Sequence, residues 1–130
     1  MRFNICLLTI LTAMLFASAG HASGEFPAYG KASWYGSYHH GKKTASGEKF
    51  DMHELTAAHK FLPFGTLLKV VNLKNGKEVI VMINDRGPFS KKRIIDLSRA
   101  AAEKIGLIER GIARVRVDVL SLPDGSGYDL

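Results

Sequence analysis

Strict alternation of apolar and charged residues marks the C-terminal part of the chain. Over Ala113–Leu120 (ARVRVDVL), Val115, Val117 and Val119 fall on one face and Arg114, Arg116 and Asp118 on the other. That period of two predicts a half-buried strand. Leu67–Leu73 and Lys77–Ile83 are separated by a turn at Asn75-Gly76, a pair that readily takes the positive φ angles of a hairpin. Val79–Ile83 is continuously apolar, which predicts a strand buried on both faces. One helix is expected: Ser98 stands as N-cap, Arg99–Ile105 is Ala-rich, and Gly106 occupies the C-terminal capping position. A second, single-turn helix is expected over Glu54–Lys60, ahead of Pro63. Short strands with one or two short helices predict a mainly β fold, a small barrel whose closure removes exposed edges.

The N-terminus breaks this rhythm. Arg2 precedes an apolar run, Ile5–Phe16 (ICLLTILTAMLF), which is followed by Ala17-Ser18-Ala19. This basic, apolar, small order is that of a cleaved secretory signal, and the run is too short to span a bilayer comfortably. Residues 1–19 are therefore read as signal, with Gly20-His21-Ala22 as a second cleavage choice. Residues 20–30 are read as a lead-in, 31–120 as one barrel domain and 121–130 as a flexible tail. The single cysteine, Cys6, lies inside the apolar run, so the mature protein is expected to have no thiol and no disulfide. Cys6 is also wrongly flanked for lipoprotein acylation. The expectation is an exported protein, periplasmic or secreted, with no lipid anchor.

Composition narrows the partner. The apolar fraction of 46% and charged fraction of 23% are those of a globular protein. The net charge of +6 survives cleavage almost intact, since only Arg2 is lost. Export argues against nucleic acid. An anionic membrane would call for a long basic amphipathic helix, but Lys42-Lys43 and Lys91-Lys92-Arg93 sit in turn-like segments. An acidic wall polysaccharide is the partner class that fits.

Candidate chemistry centres on VIVMINDRGPFS (79–90), where an apolar strand delivers Asp85 onto a loop closed by Arg86-Gly87-Pro88. Taken alone, the plainer reading is an aspartate capping its own turn. The sharper one is a catalytic carboxylate at a rigid strand terminus. His39-His40 and His53 invite a metal, but adjacent histidines diverge on a strand and no spacing resembles a zinc site. Neither metal nor cofactor is expected.

Six short motifs, in this order, carry a resemblance: Ala32-Ser33-Trp34-Tyr35-Gly36, Thr44-Ala45-Ser46-Gly47-Glu48, Leu55-Thr56-Ala57-Ala58-His59, Leu62-Pro63-Phe64-Gly65-Thr66, Asn84-Asp85-Arg86-Gly87-Pro88 and Ile95-Asp96-Leu97-Ser98. Together they resemble the double-psi β-barrel domain of the rare lipoprotein A family of septal-ring lytic transglycosylases, over about Lys31–Leu120. The resemblance implies a six-stranded double-psi barrel crossed by a long groove. It also implies cleavage of the MurNAc–GlcNAc bond of peptidoglycan, leaving 1,6-anhydro-muramyl ends. Its catalytic positions fall here on Asp85, His59 and Glu48. Founding members are lipoproteins, and many carry a C-terminal domain that recognises glycan stripped of peptides. No acylated cysteine is read in this sequence and few residues follow the barrel, so lipid anchoring and that domain's recognition are not expected to carry over from the resemblance.

Lytic cleavage needs no water, because the muramyl 6-hydroxyl attacks the anomeric carbon, so one carboxyl can serve as acid and then base. Asp85 is the candidate. It must carry its proton when the bond breaks, which a facing cation would oppose, so the role requires the Arg86 side chain to point away and pin the loop. Glu48 is expected to neighbour Asp85 or to bind sugar hydroxyls, and His59 to orient Asp85 or bind substrate. Tyr35, Thr44 and Arg86 are expected substrate contacts, with Trp34 and Tyr38 as weaker aromatic platforms. The expected partner is peptidoglycan glycan, met by a monomer. A second class of function stays open at this point: a non-catalytic, expansin-like wall-binding module on the same fold.

Overall fold

The computed structural model describes residues 25–127; the signal-like run, both cleavage sites and Cys6 lie outside the described residues. Among those described, six strands form: β1 (Ala28–Trp34), β2 (Thr56–His59), β3 (Leu67–Asn72), β4 (Glu78–Arg86), β5 (Arg93–Leu97) and β6 (Ala113–Ser121). They close into a barrel in the order β1-β5-β2-β4-β3-β6. The pairs β1/β5 and β2/β4 run parallel, and the remaining neighbours antiparallel. This is the mainly β barrel that the residue pattern predicts. The first strand starts at Ala28, so it draws residues from the segment read as lead-in.

The alternating strand behaves as expected. Val115, Val117 and Val119 are buried and face Leu68 and Val70 of β3, with Val79, Val81 and Ile83 of β4 completing that wall. Side chains fill the interior, as in other small barrels. The hairpin turns at Gly76, whose φ of +76° suits glycine. Helix α1 (Arg99–Lys104) is capped by the Ser98 side chain, which accepts from the Ala101 amide, and its Ala101 and Ala102 pack into the core.

Two expectations are corrected. Glu54–Lys60 forms no helix: Thr56–His59 is β2, held between β4 and β5. Backbone pairing on both sides outweighs the helix preference of two alanines. Val79–Ile83 is buried on one face only, because Ile80 is 50% and Met82 44% exposed. In a six-stranded barrel the outer face of β4 has no covering layer, so a continuous apolar run does not imply two buried faces.

Candidate active site

The strand pattern is broken at the residues that matter most. In β4, Val79, Val81 and Ile83 point inward, and simple alternation would send Asp85 inward as well. The β2/β4 register instead slips: Ala57 pairs with Ile83, but Ala58 pairs with Asp85, leaving Asn84 as an extra residue. Such a bulge re-aims the side chains that follow it. Asn84 joins Ile83 in the buried class, Asp85 turns out of the barrel, and the half-buried carboxylate reaches a surface groove.

Asp85 is held from three directions. Its Oδ1 accepts hydrogen bonds from the Ala45 amide at 2.9 Å and the Arg86 amide at 2.8 Å. Its Oδ2 accepts from the Tyr35 hydroxyl at 2.9 Å. Tyr35 packs edge-on against Phe50 and tilted against His39, with ring centroids 4.8 and 5.0 Å away. Burial first, then the charge and hydrogen bond of Asp85 and the charge of Asp96, push the Tyr35 phenol far above its ordinary value. It therefore stays a neutral hydroxyl throughout the working pH range.

The Arg86 side chain leaves the groove carboxylate. Its Nη1 donates to the Leu62 carbonyl at 2.9 Å and, more weakly, to the His59 carbonyl at 3.4 Å. The guanidinium lies 4.1 Å from the Phe64 ring centroid. Among the described residues no Asp85–Arg86 ion pair forms. The guanidinium thus bonds the 59–64 loop while Arg86 still lines the groove.

The other sequence candidates separate. His59 is only 5% exposed, and its Nδ1 accepts from the Phe61 and Leu62 amides, both at 3.2 Å. Phe61 meets its ring edge-on at 4.7 Å. None of these partners is Asp85; the hydrogen bonds of the His59 ring run to the 61–62 backbone. Burial first, then the charges of Arg86 and Lys60, lower its imidazole to about 4, and the neutral ring is an acceptor at Nδ1. Glu48 is exposed, and its carboxylate takes a 3.3 Å hydrogen bond from the Ser46 hydroxyl. Thr44, expected to touch substrate, is 8% exposed and donates to the Glu48 carbonyl. Both residues build the 44–48 loop whose Ala45 amide fixes Asp85. Tyr38 is 75% exposed with the Lys42 ammonium over its ring, whereas Trp34 lines the groove.

Two groove residues escaped the sequence reading. Asp96 pairs in register with Ala58 from the other side, so Asp85 and Asp96 flank this small, buried residue and line one groove of about 500 Å³. Arg93 and the Ser33 hydroxyl both bond to Asp96. The signal was present: Ile95 and Leu97 point inward, which obliges Asp96 to point out. Phe89 is 91% exposed at the groove lip, following Gly87 at φ +130°. A large aromatic in an otherwise polar turn was its only mark.

Comparison with known proteins agrees with this geometry. The sequence profile of the lytic transglycolase family, a double-psi β-barrel domain, matches residues 27–117. The endolytic peptidoglycan transglycosylase RlpA of Neisseria meningitidis serogroup A is 54% identical over 94 residues, covering 72% of this chain and 39% of that protein. The protein of the same name from Vibrio cholerae is 54% identical over 97 residues, 75% of this chain and 37% of its own length. That from Pseudomonas aeruginosa is 57% identical over 89 residues, 68% and 26%. Among solved structures, a Streptomyces papain inhibitor superimposes with a TM-score of 0.58 at 23% identity, over 71% of this chain and 92% of its own. An expansin of Clavibacter michiganensis gives 0.57 at 20%, over 76% and 52%. These two share the fold. The matched segment spans about a quarter to two fifths of the curated relatives' length.

Proposed function

The chain belongs to the lytic transglycolase family, and on that premise we propose that its barrel cleaves the MurNAc–GlcNAc bond of peptidoglycan to leave 1,6-anhydro-muramyl ends, outside the cytoplasm where that polymer lies. The observation that carries this reading is the suspension of Asp85. Two backbone amides occupy Oδ1, so Oδ2, which among the described residues meets only the Tyr35 hydroxyl, is the oxygen left to carry a proton.

In the proposed reaction Asp85 Oδ2 gives its proton to the bridging oxygen as the bond to the muramyl anomeric carbon breaks. The departing sugar leaves with a 4-hydroxyl. The muramyl 6-hydroxyl then attacks the anomeric carbon, and its proton returns to Asp85, so no water is consumed. The Tyr35 hydroxyl serves both states: it donates to the carboxylate and, rotated, accepts from the acid. Asp96 supports the oxocarbenium-like charge from across Ala58, held in place by Arg93 and Ser33. Trp34 and Phe89 offer ring faces to the glycan along the groove. Glu48 acts through the loop that carries Ala45, and His59 through the loop that Arg86 pins.

Incubating the protein with sacculi, intact and stripped of peptides, and identifying released sugars by mass spectrometry tests the reading. Anhydro-muramyl products should fall by roughly a hundred- to ten-thousand-fold in Asp85→Asn, the range for loss of a general acid. Retention on sacculi without product, unchanged by that substitution, would overturn the proposal in favour of a wall-binding module.

A further inference from the structure

Phe89 stands between two concavities. One is the groove that Asp85 and Asp96 line; the other, a shelf of about 430 Å³ across the 86–89 turn, is lined by Lys60, Arg86, Gly87, Pro88 and Phe89. Arg86, Gly87, Pro88 and Phe89 line both, so this turn is their common wall. Gly87 and Pro88 are buried, whereas Phe89 is exposed. Its ring lies along the turn: a Cβ added at Gly87 would come 3.7 Å from Phe89 Cε2. An aromatic ring held in water costs free energy, and a ligand that covers it removes that cost.

Lys60 anchors the far side of the shelf. It follows directly on β2, two residues beyond Ala58, which pairs with both Asp85 and Asp96. At about 3.3 Å per residue, its backbone lies about 7 Å further along the chain than the point between the two carboxylates. Its Nζ donates to the Ser90 carbonyl at 2.9 Å, which ties the end of β2 to the turn that carries Phe89. An ammonium has three donors, so two stay available on this exposed side chain, which enters no ion pair among the described residues.

Resting on the peptidoglycan reading of the groove, we propose that this shelf is a further glycan subsite, which takes the sugar lying beyond the Phe89 ring on the strand being cleaved. A strand in the groove that passes the 86–89 turn meets the shelf next, because the two hollows share that turn as their boundary. The chemistry suits a pyranose. Phe89 and Pro88 offer apolar surface to the C–H face of the ring, and the Lys60 ammonium donates to its hydroxyl or acetamide oxygens. Affinity therefore grows with strand length beyond what the groove alone holds.

The test follows binding rather than cleavage. A peptide-free GlcNAc–MurNAc octasaccharide and the corresponding disaccharide are titrated into the isotope-labelled Asp85→Asn protein, in which the proposed acid is lost, and amide NMR shifts are read. The octasaccharide should move the Lys60 and Phe89 amides together with those of Tyr35 and Asp96. Lys60→Met in the same background should weaken the octasaccharide by roughly five-fold or more and leave the disaccharide, read by its groove shifts, unchanged; Lys60→Arg should restore binding. An equal loss with the disaccharide would make Lys60 a strap on the turn rather than a sugar contact and overturn the proposal, as would an unmoved Lys60 amide or an unaffected Lys60→Met. Octasaccharide shifts confined to the groove would defeat the shelf alone, whereas no shift at any residue would defeat the glycan reading of the groove with it.

Discussion

His59 makes the chain lose stability in mild acid, by an amount the structure sets. Its imidazole is buried, accepts two backbone hydrogen bonds at Nδ1, and has Arg86 and Lys60 nearby. In the folded state it titrates at about 4, against 6.5 when free. The folded value is the lower one, so the unfolded chain takes up the proton first as pH falls. This contribution is complete above pH 6.5 and disappears as pH drops towards 4. At about 1.4 kcal/mol per pH unit across that interval, the loss approaches 3 kcal/mol, a large share of the 5–15 kcal/mol typical of a domain. Urea unfolding at pH 7, 5.5 and 4.5 measures it, with His59→Gln as the reference. The glutamine variant should be less stable at pH 7 by about 1–2 kcal/mol, through imperfect replacement of the acceptor and the ring. It should then lose less with acid, so the two curves converge. Curves that stay parallel between pH 7 and 4.5, or an imidazole seen by NMR to titrate near 6.5, would refute the reasoning.

The site itself gives two further expectations. Tyr35→Phe keeps the edge contact with Phe50 but removes the Tyr35 hydroxyl's hydrogen bond to Asp85 Oδ2. Stability should change by about 1 kcal/mol or less, while the turnover of sacculi falls on the order of ten-fold; unchanged turnover would deny the hydroxyl any part in proton handling. Arg86→Gln removes the bond to the Leu62 carbonyl and the stack on Phe64, and should cost about 1–3 kcal/mol in urea unfolding. It also removes a charge that lowers His59, so the imidazole should titrate at a higher pH in this variant; an unshifted NMR titration would count against the electrostatic link.

What the sequence disclosed depends on the range of the interaction. The valines of β6 and the Ser98 cap were legible because each is decided within a few residues: alternation against one core, and one side chain meeting an amide three positions on. The family motifs located Asp85 because their order along the chain is itself informative. Thr56–His59 was misread because its neighbours are remote in sequence, and only the paired β4 and β5 make two alanines into a strand. Glu48 and Thr44 carry the family motif, and in the structure their hydrogen bonds stay within the 44–48 loop. Loops that shape a carboxylate's surroundings carry the same motif signal as groups that touch substrate, and spacing alone does not separate them.

The Asn-Asp-Arg-Gly-Pro segment shows most sharply why register carries the function. Asp85 and Arg86 are adjacent and both line the groove, and the acid role of the first requires that the guanidinium of the second not pair with it. Alternation alone guarantees that they part, but not which one goes where. With three inward residues ending at Ile83, uninterrupted pairing would send Asp85 into the core and Arg86 into the groove. A carboxylate buried there would have no partner to offset its desolvation. One extra residue at Asn84 takes the inward place and leaves Asp85 half-buried at the groove. Arg86 then stacks beneath the 59–64 loop, and Asp85 meets Tyr35 and Ala45. Ala58, opposite the slip, is fully buried and pairs with both Asp85 and Asp96, which sets the two carboxylates on either side of one strand. The same five residues on a strand without the bulge would have the motif and lack the site.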